Sequence, residues 1–252
     1  MIYLTALRSI KALVAFFTVI PIKSDQKTLA GAANYMPLVP LIGAAIGLLA
    51  GIVFGIFRSL FPTMIAGILV FGFLLYITGL HHTDGLIDFG DGLMYKGSAK
   101  EKIAAMHDKN TGAGGFALGF IILAATALSI SNLGSLRYLQ DLIVVETSAK
   151  FAMVALAWTG KSAATGMNVP FIEKMHDDKR TVRLVSSLAI SITIAVLSIG
   201  LGGMLVVLVG FFTALALMWI SKRNFRGVTG DVFGATNDIS RLTSLLAVLA
   251  IS

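Results

Sequence analysis

Three aspartates stand close together in the first half of the chain, at a spacing that suggests they act as a group. Asp84, Asp88 and Asp91 are four and three residues apart, so a helix of about 3.6 residues per turn would place them within an arc of roughly 60°. Carboxylates this close repel one another unless a cation lies between them, and oxygen ligands without sulfur favour Mg²⁺ or Mn²⁺. The pattern predicts a divalent metal site, although Asp-Gly pairs also mark ordinary turns. His82, two residues before Asp84, is expected to orient a ligand or a phosphate.

A second polar segment, Met106–Gly115, lies just before an apolar stretch. Its glycines, Gly112 among them, would let backbone N–H groups approach an anion, and the helix that follows would add the positive end of its dipole. Asp108 is expected to complete the metal shell, and Lys109 to meet phosphate as a point charge. A flexible loop with a capping aspartate is the other interpretation of this segment.

A third segment, 222–238, begins with three cations and continues through Thr229, Gly230 and Asp231. Together these residues form a second surface suited to anions. The glycines at positions 227, 230 and 234 are explained equally well by close approach to a ligand or to a neighbouring helix. Both interpretations stay open at this point.

The composition requires a lipid environment for these motifs. Hydrophobic residues make up 56% of the 252 residues, charged residues only 13%, and the mean hydropathy is +0.87. A soluble globule with so little polar surface is excluded, which makes the chain an integral membrane protein. The net charge of +7 does not indicate nucleic acid, because most cations lie at the ends of apolar segments. The absence of cysteine excludes disulfides and thiolate metal sites.

The expected fold is all-α: a single transmembrane catalytic domain, residues 1–252, built as a polytopic helical bundle of about six to seven transmembrane helices. A span needs about 20 apolar residues. The first six predicted spans are 36–57, 64–82, 113–131, 141–158, 184–200 and 204–220. A seventh segment, from about 239 to Ser252, is short for a full crossing and could be tilted, partial, or extended by the residues before it.

The connections predict which side the polar segments face. The long segments 22–35, 83–112, 159–183 and 221–241 hold 15 of the 20 Lys and Arg residues. By the positive-inside rule these segments are cytoplasmic. Residues 1–23 are amphipathic, with Arg8 and Lys11 on one side, and are expected to form an interfacial helix.

Two acids, Asp141 and Glu146, fall inside the predicted spans. Glu146 and Lys150 are four residues apart, so a helix would let them neutralise each other, as part of a functional site or as a structural clamp. The only other acid in a predicted span is Asp141. The remaining acids are expected at one membrane face, where carboxylates, glycine turns and cations together are typical of phosphoryl transfer to or from a diphosphate. The chain has no P-loop motif, which leaves ATP hydrolysis unsupported.

These motifs in order resemble the cobalamin synthase family. The resemblance covers nearly the whole chain and rests on Leu80-His-His-Thr-Asp-Gly-Leu-Ile-Asp88 with Asp91-Gly92, on Met106-x-Asp108-x-x-x-Gly112, and on Gly227-x-Thr-Gly-Asp-x-x-Gly234-Ala235. Three residues depart from the family's pattern: Lys150 stands where an arginine is usual, Arg226 where many members have glycine, and Arg241 where a second acid often follows.

The resemblance implies an adenosylcobinamide-GDP ribazoletransferase of vitamin B12 synthesis. Such an enzyme joins α-ribazole, or its 5′-phosphate, to adenosylcobinamide-GDP and releases GMP. The implied cofactor is Mg²⁺, held by Asp84, Asp88, Asp91 and Asp108, one of which could also accept the hydroxyl proton. The implied substrate-binding residues are His82, Lys109, Gly112, Lys150, Thr229, Gly230 and Asp231.

The implied location is the cell membrane, the inner membrane where there are two, with the active site on the cytoplasmic side and no nucleic acid partner. The sequence is compatible with a homo-oligomer. A CDP-alcohol phosphotransferase of lipid synthesis is the nearest alternative, but the Ala-Arg that follows Asp-Gly-x-x in that family is absent here. A secondary transporter is the alternative from another class, and it is disfavoured because the acids concentrate at one rim instead of the midplane.

Overall fold

A computed structural model of the chain describes residues 2–21, 30–166 and 168–251. The described residues are almost entirely helical, and the one β-type contact is an isolated bridge between Ser162 and Val228. A short 3₁₀ helix, Ala33–Leu38, leads into α2. The α-helices are α1 (Ile2–Phe17), α2 (Val39–Leu60), α3 (Thr63–Ile77), α4 (His81–Met94), α5 (Ala99–Met106), α6 (Ala113–Ser131), α7 (Tyr138–Thr159), α8 (Val169–Lys174), α9 (Arg180–Ile199), α10 (Gly202–Phe225) and α11 (Gly230–Ala250).

Five helical segments in the described ranges are long and apolar enough to cross a bilayer. They are Ala30–Leu60, which includes α2, and the helices α6, α7, α9 and α10. Large apolar side chains point outward from them: Leu197 is 82% exposed and Phe116 is 68% exposed. Only lipid would solvate such a surface favourably, so the predicted all-α, polytopic membrane fold is confirmed.

The second predicted span is broken. The segment 64–82 does not form one helix, because α3 ends at Ile77 and α4 begins at His81 after a bend of 94°. Two consecutive residues, Gly79 and Leu80, have left-handed φ angles of 67° and 62°. The α-helix cannot continue through this backbone, and α4 therefore takes its own direction.

Several helix boundaries also differ from the prediction. The segment predicted from about 239 is extended by the residues before it, since the last helix begins at Gly230, and the segment 221–241 therefore contains the end of α10 and the first half of α11. Asp238 and Arg241, expected in that connecting segment, are buried inside α11. The fourth span begins at Tyr138 and the fifth at Arg180, each a few residues earlier than expected.

Helix α7 occupies the centre of the bundle. In the most apolar part of α7, 83% of the residues are buried, against 22% in α9. Glycines on α2 allow this helix to lie close to α7: an added Cβ at Gly43 would lie 2.3 Å from the Glu146 carbonyl oxygen, and one at Gly47 would lie 2.3 Å from that of Leu142. Small residues thus let polar groups of α7 sit between closely packed helices.

Helix α1 packs one face against the bundle. Ser9, Leu13 and Phe17 are buried at a spacing of four, while Arg8 and Lys11 are exposed. This agrees with the predicted amphipathic pattern, although residues 1, 22 and 23 of the predicted interfacial helix, and most of segment 22–35, lie outside the described residues. After α1 ends, the backbone N–H of Val19 donates to the carbonyl oxygen of Ile77 at 2.8 Å, which joins α1 to the bend between α3 and α4.

Candidate functional site

The acidic residues of α4 lie beside the beginning of α11. Asp84, Asp88 and Asp91 all belong to α4, as their spacing predicted, and Asp84 is exposed while the other two are half-buried. Asp231 joins them from the first turn of α11 because the two helices are very close: an added Cβ at Gly85 would lie 2.9 Å from the Asp231 Cα. A fourth acid therefore belongs to the cluster, which here means Asp84, Asp88, Asp91 and Asp231 (the acidic cluster).

The negative charges of the acidic cluster affect one another. Asp88 lies outside the five spanning helices, and its pKa is raised to about 7, first by burial and then by the charges of Asp84, Asp231 and Asp91. Burial also raises the pKa of Asp231, with a further contribution from Asp84 and an opposing one from His107, whose Nε2 lies 3.8 Å from an Asp231 oxygen. A cation placed among these groups would relieve the mutual repulsion that adds to the effect of burial on both pKa values.

Asp91 has a second role that the sequence did not indicate. Its carboxylate accepts hydrogen bonds from the backbone N–H groups of Gly112 (2.8 Å) and Gly115 (2.7 Å), at the start of α6. Gly112 is required at this contact, because an added Cβ would lie 2.4 Å from an Asp91 oxygen. The helix end that was expected to receive a phosphate is thus occupied by a carboxylate of the protein itself.

Asp108 and Lys109 lie on the exposed connection between α5 and α6. An oxygen of Asp108 accepts from the backbone N–H of Asn110 at 2.9 Å and from its side-chain amide at 3.1 Å, as in an Asx turn. Asp108 and Asp91 line the same groove of about 350 Å³, together with Tyr95, Glu101, Asn110 and Gly112. Asp108 is therefore near the acidic cluster without being among the charges that shift the pKa of Asp88.

The described side chains of this region are of a suitable chemical type for a divalent cation, but they are not already arranged around one ion site. Within the described ranges, no three acidic or histidine side chains are already close enough to hold one ion. The donors are nevertheless of the kind that Mg²⁺ prefers, since Asp84, Asp88 and Asp231 offer carboxylate oxygens on two adjacent helices. Rotation of these side chains toward one another would be needed for them to share an ion.

The residues before α11 serve chiefly to start that helix. The Thr229 hydroxyl accepts from the backbone N–H of Val232 at 3.4 Å and donates to an Asp231 oxygen at 3.2 Å. Gly227 and Gly234 are explained by close packing, since an added Cβ would lie 2.6 Å from the Lys161 carbonyl oxygen or 2.7 Å from that of His82. Close approach to a neighbouring helix explains Gly234, which packs against α4, whereas Gly227 packs against the connection that follows α7. Gly230 is exposed and its neighbours are not crowded.

His82 is buried at the start of α4 and stacks on Phe17 of α1, with ring centroids 6.2 Å apart. Its Nδ1 has no hydrogen-bond partner within the described part of the protein. The side chain thus packs against α1, while the backbone of the same residue contacts Gly234 of α11.

A buried polar network joins α7, α11 and α4. The guanidinium of Arg241 donates through Nε and Nη2 to both oxygens of Glu146, the latter at 3.1 Å, and through Nη1 to Asp238 at 2.6 Å. Asp238 accepts through its other oxygen from the Thr83 hydroxyl of α4 at 2.9 Å. The charges of Glu146 and Lys150 do interact, as predicted, but the direct partner of Glu146 is Arg241 of α11, whose bidentate geometry suits a carboxylate better.

Lys150 is fully buried and lies in the same network. Its ammonium donates to the side-chain oxygen of Asn237 at 2.5 Å and sits 5.5 Å from the ring centre of Phe17. The Asn237 amide in turn donates to Asp238 at 2.9 Å. Sequence reasoning missed Thr83, Asn237, Asp238 and Arg241, although Asp238 and Arg241 stand three apart in a largely apolar stretch, a signal of a buried pair.

A second groove, of about 540 Å³, opens on the other side of α5. Lys100 and Arg226 line it, with Ser98, Ser162 and Phe225. Arg226 has a φ of 62°, in the left-handed region, at the end of α10. Helix α5 thus separates an acidic groove from one with two cations.

The chain is similar over most of its length to proteins of one family. A family model described as cobalamin-5-phosphate synthase (CobS) matches residues 9–249. Similar proteins named adenosylcobinamide-GDP ribazoletransferase come from Methanocella arvoryzae (33% identity, 95% of this chain and 94% of that protein) and Thermococcus gammatolerans (32%, 95% and 96%). Another is from Methanosarcina mazei (31%, 92% and 88%). No solved structure gives a significant match. With a family match over nearly its full length, this chain belongs to the cobalamin-5-phosphate synthase family.

Proposed function

We propose that this chain is a membrane-bound transferase that joins α-ribazole, or its 5′-phosphate, to adenosylcobinamide-GDP and releases GMP. Family membership and the activity for which relatives matching nearly the whole chain are named support this assignment. The observation that carries it is the acidic cluster, in which α4 and α11 bring carboxylates together; burial, with the added charges of Asp84, Asp231 and Asp91, raises the pKa of Asp88 to about 7. Such a cluster suits a reaction whose substrate brings a diphosphate and its metal ion.

The cofactor we propose is Mg²⁺. Asp84, Asp88 and Asp231 are the residues that would hold it, and Asp91 and Asp108 line the adjoining groove from which they could contribute oxygens. The bound ion would neutralise charge on the diphosphate, which makes the phosphorus easier to attack.

The residues of the chain would act on the two substrates as follows. The ribose 3′-hydroxyl of α-ribazole attacks the phosphorus that bears the cobinamide arm, a new P–O bond forms, and the bond to the bridging oxygen breaks, so that GMP leaves with the other phosphate. A carboxylate of the acidic cluster accepts the hydroxyl proton. Lys109, exposed between the groove-lining residues Asp108 and Asn110, and the cations of the second groove, Lys100 and Arg226, supply positive charge for the phosphates.

We further propose that this site faces the cytoplasm of a multi-pass protein in the cell membrane. The support is the nine Lys and Arg residues in the segments 83–112 and 159–183, to which the segment 221–241 adds three when buried Arg241 is discounted. A membrane-impermeant amine reagent should label Lys100 and Lys174 only in inside-out vesicles. Labelling of either from the outer side would overturn this orientation.

The decisive test is GMP release by purified protein from adenosylcobinamide-GDP and α-ribazole 5′-phosphate, with Mg²⁺ or with EDTA. We expect turnover only with the metal, a loss of at least about 100-fold in Asp84→Asn, and normal turnover in Asp178→Asn, which changes an exposed acid elsewhere. No GMP release under any condition would refute the proposal. Release of CMP from CDP-diacylglycerol would instead support a lipid-forming phosphotransferase.

A further inference from the structure

The buried network contains more charged groups than a simple contact between helices requires. It places four charged groups, Glu146, Lys150, Asp238 and Arg241, in the interior, and each of the four is at most 2% exposed. Two are acids and two are bases, so the network is neutral as a whole. Among the described residues its bonds run without interruption from α7 through α11 to α4.

Such a network is a costly way to hold helices together. Removing charges from water is expensive, and well-packed apolar side chains often stabilise a fold as well or better. Close glycine contacts already hold α4 against α11, at Gly85 and at Gly234. What apolar packing does not provide is one defined arrangement, because apolar contacts tolerate small rotations that a directional hydrogen bond does not.

The last bond of the network lies beside the acidic cluster. Thr83 lies in the first turn of α4 and immediately precedes Asp84. Its hydroxyl donates to Asp238 of α11. Because successive helix residues differ by about 100°, a rotation of α4 by even a fraction of that angle would turn Asp84 and Asp88 away from Asp231. The Thr83 bond therefore fixes the angle on which the approach of the carboxylates depends.

We propose that Thr83 and Asp238 are positioning residues. Their hydrogen bond, held from behind by Arg241 and Glu146, sets the rotation of α4 and so the distance between the acids of α4 and Asp231. Neither residue touches the substrate in this proposal. The inference rests on the proposed function, since it assigns a task to residues behind the proposed metal site.

The test replaces Thr83 with residues of matched shape. Thr83→Val keeps the branched side chain and removes the donor, and Thr83→Ser keeps the donor. Thr126→Val is the control, because Thr126 is also buried and its hydroxyl, among the described residues, donates to the carbonyl of Ile122 within α6. Each protein, stripped with EDTA, is titrated with Mn²⁺ and followed by electron paramagnetic resonance, and its thermal unfolding and GMP release are measured beside it.

We expect Thr83→Val to weaken Mn²⁺ binding by about 10-fold or more, the range seen when a residue that orients a metal ligand is lost. GMP release should need correspondingly more Mg²⁺, and the unfolding temperature should stay close to that of Thr126→Val. Thr83→Ser should recover binding.

Three results would overturn the inference. Unchanged Mn²⁺ affinity in Thr83→Val would show that α4 is positioned without this bond. Loss of folding or a large fall in unfolding temperature in Thr83→Val, with Thr126→Val intact, would show a purely structural role. Absence of Mn²⁺ binding by the wild-type protein would remove the proposed metal site as well, and this outcome separates failure of the proposed function from failure of the positioning role alone.

Discussion

Neutralising Asp88 and neutralising Asp91 should change the stability of the metal-free protein in opposite directions. The two residues are less than one helical turn apart, and both are proposed to act at the same site. Asp91→Asn removes one of the two oxygens that accept from Gly112 and Gly115 and places an amide against the other N–H group. Asp88→Asn removes a half-buried charge that its neighbours repel.

The magnitudes follow from these contacts. Loss of a side-chain cap at a helix N-terminus costs about 0.5–2 kcal/mol, and since relief of repulsion with Asp88 offsets part of this, we expect a net loss of about 1 kcal/mol for Asp91→Asn. For Asp88 the folded-state pKa lies above the unfolded value, so the ionised form destabilises the fold above that unfolded pKa, and an amide removes this penalty. With a discount for solvent screening, we expect a gain of about 1 kcal/mol at pH 8.

The assay is thermal unfolding in detergent at pH 8 with EDTA, with Asp178→Asn as the control for loss of an exposed charge. A change of about 1 kcal/mol corresponds to roughly 2–4 °C for a chain of this size. Asp91→Asn should therefore unfold at a lower temperature than wild type, and Asp88→Asn at a higher one. If both variants shift in the same direction by similar amounts, the assignment of Asp91 as the cap of α6 is wrong.

Further predictions concern backbone contacts and the buried network. Gly85→Ala should lower stability by about 1–3 kcal/mol and reduce GMP release, because the added Cβ would meet the Asp231 backbone at 2.9 Å. Gly72→Ala, which adds a Cβ in open space, should change neither stability nor GMP release. Thermal unfolding and turnover of the two variants check this prediction. Arg226→Gly should raise the unfolding temperature through a gain of about 1 kcal/mol by relieving a left-handed φ, and Arg226→Ala should not. Arg241→Met should destabilise the folded protein by about 3–5 kcal/mol, because it leaves Glu146 charged and without its arginine partner. Adding Glu146→Met should restore much of this loss in the thermal unfolding assay. A double variant no more stable than Arg241→Met would contradict the prediction.

The sequence predicted the membrane bundle and the acidic helix because both depend on local pattern. Long apolar segments show composition directly, and the four-and-three spacing of Asp84, Asp88 and Asp91 needs only the period of a helix. The break at Gly79 and Leu80 was not predictable in the same way. Nothing in the sequence indicates that a leucine such as Leu80 adopts left-handed backbone angles, so the apolar segment 64–82 was predicted to form one continuous helix.

The partners of polar side chains were the hardest part to predict, because they depend on packing between distant helices. Glu146 and Lys150 are local neighbours, yet each has a partner on α11, about 90 residues away in sequence. Asp91 likewise looked like a pure metal ligand until the fold brought the start of α6 against it. Local spacing shows which groups could pair, and only the assembled bundle shows which do.

The hydrogen bond from Val19 to Ile77 makes the N-terminal helix relevant to the reacting groups, although α1 contains none of the candidate acids. The kink that begins α4 interrupts the helical bonding, and within lipid a carbonyl left without a donor costs several kcal/mol. The donor comes from the chain just after α1, and Phe17 of the same helix supports the ring of His82. A fragment that starts after α1 would thus retain every carboxylate but lose the contacts that stabilise the corner from which the acidic helix departs.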